Sequence, residues 1–542
     1  MNKKRENQSK ISIFEFCDNG VKTITQSSLR FLLVIGIIGI LIRIYYFPLD
    51  IPISLDSMDY FSYAFVITQQ GNLPEGWDLS NNGWPIFLSI FFSLFNYENF
   101  LDYSNVQRII TVVISTLTII PVYLLCTRFV NKSFSLIGAT IFVLEPRIII
   151  NSLLGVTESS FVLLGTTALF LFLSKNEKAI FASFGVAALL SLIRYEGLLL
   201  IIPFAIIFIV RKRNEKKIIL KLFTAMSIFI LILIPMAMVN YQAVGHDGLV
   251  SPLFAGGPQY ISKHVIQGVP DIDDPIYSKN AGENKFLEFI SLGSINLIKF
   301  LGLIMIPIFI FFAPIGIFLF LKNRDFKTWT VISAFFVLLL PAFYAYGRGV
   351  EETRYLYIIY PILCIFCVYT IKKILLNFSR PNSFLILIVC GILVCTIGFL
   401  EYKKIDYEHE NEAFLIAQKV VSISEGINHY PPESKYIHIA EISNKWPNIP
   451  MPKETSYNQS FEIAKISPGG YTSLENYIHE SKIKGLTHLV VDGKQMNANF
   501  LNDIFYNEEK YQYLVKEYDS KDEGFNYHVK IFKINYELFE KE

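Results

Sequence analysis

Long apolar runs recur from about residue 29 to residue 400, and the connectors between them alternate in charge. A run of that kind satisfies its backbone in a bilayer only as helix, because no water is there to pair with open N–H and C=O groups. One set of connectors is basic: Arg128 and Lys132; Lys175 and Lys178; Arg211, Lys212, Arg213, Lys216 and Lys217; Lys322, Arg324 and Lys327; Lys372, Lys373 and Arg380. Positive charge next to a span stays in the cytoplasm, and residues 1–28, with Lys3, Lys4, Arg5, Lys10 and Lys22, belong there too. Composition agrees, since 52% hydrophobic and 18% charged residues exclude a soluble globular chain. The net charge of +1 and the lack of a basic tract give no sign of a nucleic-acid partner.

The expected fold is a polytopic α-helical membrane protein with about eleven transmembrane helices and a C-terminal soluble α/β domain. The spans are expected near 29–47, 106–126, 134–150, 158–174, 179–194, 197–210, 218–240, 294–321, 328–345, 354–371 and 383–400. The first is long enough to remain a helix instead of a cleaved leader. Residues 1–28 are a cytoplasmic tail, 29–400 the membrane domain, and 401–542 a domain outside the cytoplasm. Residues 48–105 form a first external loop: from Leu49 to Gln107 there is no Lys or Arg, against Asp50, Asp56, Asp59, Glu75, Asp78, Glu98 and Asp102. Within it, Trp84–Phe95 is too short to span and reads as a re-entrant or interfacial helix, opened by Asn81-Asn82-Gly83-Trp84-Pro85. Residues 241–293 form a second external loop, rich in Gly and Pro. In the C-terminal domain Tyr436–Ala440, Thr487–Asp492 and Tyr527–Ile534 read as strands, Glu408–Ser424 and Gln495–Tyr506 as helices. Asn458-Gln459-Ser460 is a glycosylation sequon. The Cys364/Cys367 pair lies in an apolar run and reads as packing.

Ionisable residues return to the outer ends of the spans four times. Asp56 and Asp59 lie in Leu55–Ala64, LDSMDYFSYA, where helical spacing points both acids one way. Glu158 follows Thr157 at the head of a span. Arg194-Tyr195-Glu196-Gly197 interrupts two apolar runs. Arg348, Glu351, Glu352 and Arg354 crowd one connector. Taken singly these are a wet loop, a helix N-terminal acid, a tight hairpin and a charged turn. Together they make a pocket of carboxylates and arginines at a membrane surface, which transfer from a lipid phosphate requires. A hydroxyl attacking a sugar carbon needs a carboxylate to take its proton, and a departing phosphate needs a fixed cation, best a planar arginine fork. Neither a P-loop nor a G-x-G-x-x-G follows a strand, so no soluble nucleotide is accommodated.

In order, the acidic first loop, Asp59 with Tyr63 and Ala64, Trp84-Pro85, Thr157-Glu158, Arg194-Tyr195-Glu196-Gly197, and Arg354-Tyr355 before Pro361 resemble the GT-C membrane glycosyltransferases. The chain is most similar to the protein O-mannosyltransferase, aminoarabinose transferase and dolichyl-phosphate-mannose-utilising group. Where that group commonly has Asp-Glu, this chain has Asp59-Tyr60, with Asp56 upstream. The resemblance implies an enzyme that moves a sugar, mannose or another hexose, from a polyprenyl or dolichyl phosphate to an extracytoplasmic protein, glycan or lipid, with inversion. It implies Asp59 as base with Asp56 beside it, Arg354, Arg194 and Arg348 at the donor phosphate, and Glu158, Tyr63, Glu196 and Trp84 at the substrate. No cofactor is expected. The related oligosaccharyltransferases bind a divalent metal through paired acids, so an ion at Asp56 and Asp59 stays open. Two other readings compete: a secondary transporter, against which the charges sit at span ends and not at the midplane, and a non-catalytic membrane subunit of a glycosylation complex.

Overall fold

The computed structural model describes residues 26–54, 56–97, 99–267, 285–375, 381–403, 405, 407–428, 433–445, 463–493 and 498–541. The expected cytoplasmic tail, apart from its last residues, and the sequon at Asn458 lie outside them. The chain forms two compact units: the described parts of Met1–Phe47, Asp78–Leu88 and Arg108–Lys404, and those of Pro48–Trp77, Ser89–Gln107 and Ile405–Glu542.

The helices in chain order are α1 (Gln26–Tyr45), α2 (Asp56–Gln70), α3 (Gly83–Phe92), α4 (Phe100–Cys126), α5 (Lys132–Val143), α6 (Pro146–Ser152), α7 (Glu158–Phe172), α8 (Glu177–Ile193), α9 (Ile201–Lys212), α10 (Ile218–Val244), α11 (Lys285–Met305), α12 (Ala313–Leu321), α13 (Phe326–Gly347), α14 (Tyr360–Leu375) and α15 (Pro381–Tyr402). Among the described residues seven are long and apolar enough to cross a membrane, and α5 with α6, bent by 52°, make an eighth. The protein is a multi-pass membrane protein. Of the other expected spans, α7 has 15 residues, α8 has 17 and α9 has 12. At about 1.5 Å per residue such helices fall short of a bilayer's hydrocarbon core.

Two expectations about the membrane part need correcting. The run 294–321 is not one helix: α11 stops at Met305 and α12 starts at Ala313, with a tighter turn, Phe309–Phe311, between them. Pro307 supplies no N–H to continue α11, and Pro314 occupies a first-turn position of α12, where that N–H is not needed. Nor is the start of the 241–293 loop irregular. There α10 runs to Val244 and ends on Gly245 at φ +82°, and helical turns cover Val250–Phe254, Ala255–Gln259 and Ile261–Ile266. Residues 268–284 lie outside the described residues, and the end of the expected loop, 285–293, already belongs to α11.

In the helical unit α7 packs on α8, α8 on α10, α11 on α13, and α12 on α14. Gly316 sets the closest approach: a Cβ there would stand 1.9 Å from the Phe366 carbonyl oxygen of α14. Within α1, Arg43 is fully buried. Its guanidinium donates to Ser152 Oγ and Ser115 Oγ at 3.0 Å each, to the Gly39 carbonyl at 3.0 Å and to the Val143 carbonyl at 3.1 Å. Val143 ends α5, so this cation supports carbonyls left open where the α5–α6 pair bends.

In the second unit α2 buries Met58, Tyr60, Phe61, Tyr63, Ala64, Phe65 and Val66. The Phe61 ring meets Phe92 at 5.3 Å and Phe100 at 4.7 Å. The C-terminal part is an α/β domain, with α16 (Glu408–Ile423), β1 (Gly426–Asn428), α17 (Ser434–Lys445), β2 (Ala464–Ile466), α18 (Leu474–Lys482), β3 (His488–Asp492), α19 (Asn499–Tyr506), β4 (Leu514–Asp519) and β5 (Val529–Ile534). The sheet order is β2-β1-β3-β5-β4; β1 runs parallel to β2 and β3, and β5 runs antiparallel to β3 and β4. Strands β3 and β5 and helices α16 and α19 lie where the alternation placed them. Tyr436–Ala440 does not form a strand but part of α17, because the buried neighbours Tyr436–Ile437 and Ile439–Ala440 recur with a helix's period.

Candidate active site

The stretch Asp78–Leu88 is tied to the end of α8. Asn81 turns the chain at φ 65° and its side chain accepts from the Tyr195 N–H at 3.1 Å. A Cβ on Gly83 would lie 2.2 Å from the Leu192 carbonyl oxygen, so glycine is required there. The contact leaves Trp84 fully buried, its ring 5.7 Å from Phe87. Asn81-Asn82-Gly83-Trp84 thus clamps the turn that carries Arg194, Tyr195 and Glu196.

Arg194 leaves helical geometry at the end of α8, at φ −147° and ψ 122°, and this turns its side chain onto the head of α7. Its Nη1 donates to Glu158 Oε1 at 3.0 Å and to Thr157 Oγ1 at 3.3 Å, and its Nη2 donates to Glu196 Oε1 at 2.9 Å. The guanidinium also lies 5.7 Å from the Phe161 ring centre and 5.9 Å from that of Tyr355. Burial, and then the Glu196 charge, push the Tyr195 phenol up from its ordinary pKa. Glu158 is 4% exposed, and its second oxygen, Oε2, is buried without a hydrogen-bond partner among the described residues. An unpaired carboxylate oxygen held that way is costly, which marks it as a place where a ligand donor has most to contribute.

From the other side the turn Thr353–Ile359 brings in Arg354 and Tyr355. Arg354 is ion-paired to Glu352, and its guanidinium stands 5.7 Å from the Tyr355 ring centre. Thr353 Oγ1 lies 3.1 Å from Tyr357 Oη, and Tyr346 Oη donates to the Glu352 carbonyl at 2.9 Å, fixing both ends of the turn. Between these elements lies a cavity lined by Glu158, Arg194, Glu196, Arg354, Tyr355 and Phe161, with Leu338 and Pro341 of α13. It holds about 20 Å³, room for about one water, so a larger ligand must move side chains. The Arg354 side chain is 26% exposed and its partner Glu352 48%, which makes this pair the movable wall.

Four of the site residues expected from sequence therefore converge: Glu158, Arg194, Glu196 and Arg354. Arg348 does not line the cavity; its guanidinium lies over Tyr260 at 4.4 Å and near Tyr344 at 5.7 Å. Trp84 sits in the core. Asp56 and Asp59 occupy the first turn of α2 in the other unit, half-buried three residues apart, and Tyr63 below them is buried against Trp77 at 5.3 Å. Among the described residues no three His, Cys, Asp or Glu side chains are arranged to hold a metal. The two aspartates would supply only part of the six or more oxygens that a hard cation takes. Sequence reasoning missed Tyr355 and Phe161 as walls; their aromatic character beside Arg354 and Glu158 was the available signal.

No family model and no curated protein sequence matches the chain. Solved structures do. The apo oligosaccharyltransferase of Archaeoglobus fulgidus matches over 88% of this chain and 70% of its own, at 12% identity and a TM-score of 0.51. The apo ArnT of Cupriavidus metallidurans matches over 94% of this chain and 98% of its own, at 8% identity and a TM-score of 0.50. With its bundle of apolar spans and small terminal sheet, the chain has the fold of the GT-C membrane glycosyltransferases.

Proposed function

We propose that the protein is a membrane glycosyltransferase that moves a sugar, mannose or another hexose, from a polyprenyl or dolichyl phosphate to an acceptor outside the cytoplasm, with inversion. The observation that carries this reading is the cavity where Arg354 faces the Glu158–Arg194–Glu196 set. In this reading Arg354 leaves Glu352 for the donor phosphate, since its fork matches two phosphate oxygens and Glu352 is exposed enough to be released into water. Arg194 acts one step back: it holds Glu158 so that the open carboxylate oxygen accepts from a donor hydroxyl. Asp59, with Asp56 beside it, takes the proton from the acceptor hydroxyl. The acceptor oxygen then bonds to the sugar's anomeric carbon, the carbon–phosphate oxygen bond breaks, and its electron pair stays on the lipid phosphate beside Arg354. Residues 29–400 form the catalytic domain, and its active site and residues 401–542 are both assigned to the outside of the cytoplasm by the basic-connector rule.

The test is transfer of label from a panel of polyprenyl-phosphate hexoses by purified protein. Release of lipid phosphate with inversion at the anomeric carbon is expected. Protein that turns over none of the panel, and binds decaprenyl phosphate no more tightly than Arg354→Ala does, would refute the assignment.

A further inference from the structure

A second polar cluster lies at the far end of α7 from Glu158. There the carbonyl of Phe170 accepts from Arg128 Nη2 at 3.4 Å, that of Phe172 accepts from Arg211 Nη1 at 2.8 Å, and that of Ser174 also accepts from Arg211. Lys327 Nζ donates to the Arg128 carbonyl at 2.9 Å, which brings the start of α13 to the same place. Arg128, Lys175 and Arg211 all lie within electrostatic range of Lys327, as does the Asp325 carboxylate. Each guanidinium is stacked on a ring, Arg128 over Phe170 and Arg211 over Phe326, at 4.4 Å in both cases.

One or two cations suit the negative end of a helix. Four gathered there, with one Asp325 carboxylate beside Lys327, make this end of the helical unit strongly basic. What lies beside them narrows the choice of anion. Helices α9 and α13 pack together, and close to the cluster they carry exposed apolar side chains: Ile209 at 47%, Val210 at 56% and Trp329 at 58%. A ligand that covers both surfaces has an anionic head and an apolar tail. The basic connectors supply the same sign of charge along that side of the chain, which suits an anionic leaflet. Trp at such a border matches the headgroup level of a bilayer.

We propose that Arg128, Lys175, Arg211 and Lys327 form a binding site for the phosphate head of an anionic phospholipid, separate from the Glu158 cavity and independent of the activity assigned to it. The arginines present stacked, pre-oriented donors, and the lysines add mobile charge. The acyl chains lie on the apolar side chains of α9 and α13. A soluble phosphate would use the same cations but gain nothing from that surface.

Full-length protein in detergent, titrated with dioleoyl phosphatidylglycerol, dioleoyl phosphatidylcholine or inorganic phosphate and weighed by native mass spectrometry, tests the proposal. Phosphatidylglycerol should be retained, phosphatidylcholine should not, and inorganic phosphate at equal concentration should fail to displace the lipid. Lys175→Gln with Lys327→Gln leaves both arginine caps of α7 in place and should weaken phosphatidylglycerol binding by about thirtyfold. Lys175→Glu alone, at an exposed position, should weaken it by about tenfold or more, and serves if the double variant does not fold. Wild-type retention by a folded variant, equal retention of the two lipids, or displacement by inorganic phosphate would each overturn the proposal.

Discussion

Arg43 and Arg194 are both drawn into the helical unit, and they are satisfied in opposite ways. Arg43 gives its hydrogen bonds to two hydroxyls and two carbonyls. Arg194 gives its own to two carboxylates and a hydroxyl at the edge of a cavity. A buried cation surrounded by neutral dipoles fastens the segments that supply them, here α1, α4, α5 and α6. A cation balanced by carboxylates belongs to a charge set that a charged ligand can redistribute. What holds an arginine therefore says more about its role than how deeply it is buried.

The sharpest test of that division lies at α2. If Asp59 takes the proton, Asp59→Asn lowers turnover by about 10²–10⁴ while decaprenyl phosphate binding and melting temperature stay at wild-type values. Asp56→Asn should cost less and act through the acceptor. Full turnover by both variants would move this helix turn into the fastening class. Next in size, Arg354→Ala should cost about 2–5 kcal/mol in donor turnover without a change in melting, and Arg354→Lys should fall between, with its charge kept but its fork lost. Wild-type kinetics in Arg354→Ala would detach that residue from the donor.

Arg43→Met should give the reverse signature. It leaves buried acceptors unmatched, at a cost of about 2–4 kcal/mol of stability, while the folded fraction keeps its donor KM. A stable but inactive Arg43→Met would break the comparison outright. The smallest effect is expected in the C-terminal domain. Burial, and then the charge of Lys465, lower the His438 pKa to about 3, with Glu441 close by. The unfolded chain takes up that proton near pH 6.5, so it binds more protons than the folded one in the interval between. Stability from this group is complete above about pH 6.5 and is lost as the pH falls toward 3. The unfolding free energy of the C-terminal domain, from urea titration of the full chain, should fall less on acidification in His438→Gln, by on the order of 1–3 kcal/mol. An unchanged slope would locate the acid sensitivity elsewhere.

Charge sorting between apolar runs made the helical class legible, and the recurrence of ions at run ends brought Glu158, Arg194, Glu196 and Arg354 together from sequence alone. What escaped depends on direction, which residue order does not carry. Trp84 and Glu158 look alike as motif members, yet Gly83 pressed on Leu192 turns one into the core. Arg348 and Arg354 share a connector, yet Tyr260 from the preceding external loop takes Arg348. Other signals were present and unread: Pro307 and Pro314 divide the 294–321 run, and Arg43 is an ion inside an apolar stretch, where one is rarely idle.

Helix α7 shows how a bundle can carry a helix too short to cross a bilayer. Its 15 residues extend about 22 Å, against a hydrocarbon thickness of about 30 Å. Glu158 and Arg194 stand at one end and the Arg128–Arg211 pair at the other, so the two ionic layers lie closer together than the two faces of a hydrocarbon core. Most of α7 is buried by neighbouring helices, so protein and not lipid surrounds it, and its charged ends are shielded without a long apolar stretch of their own.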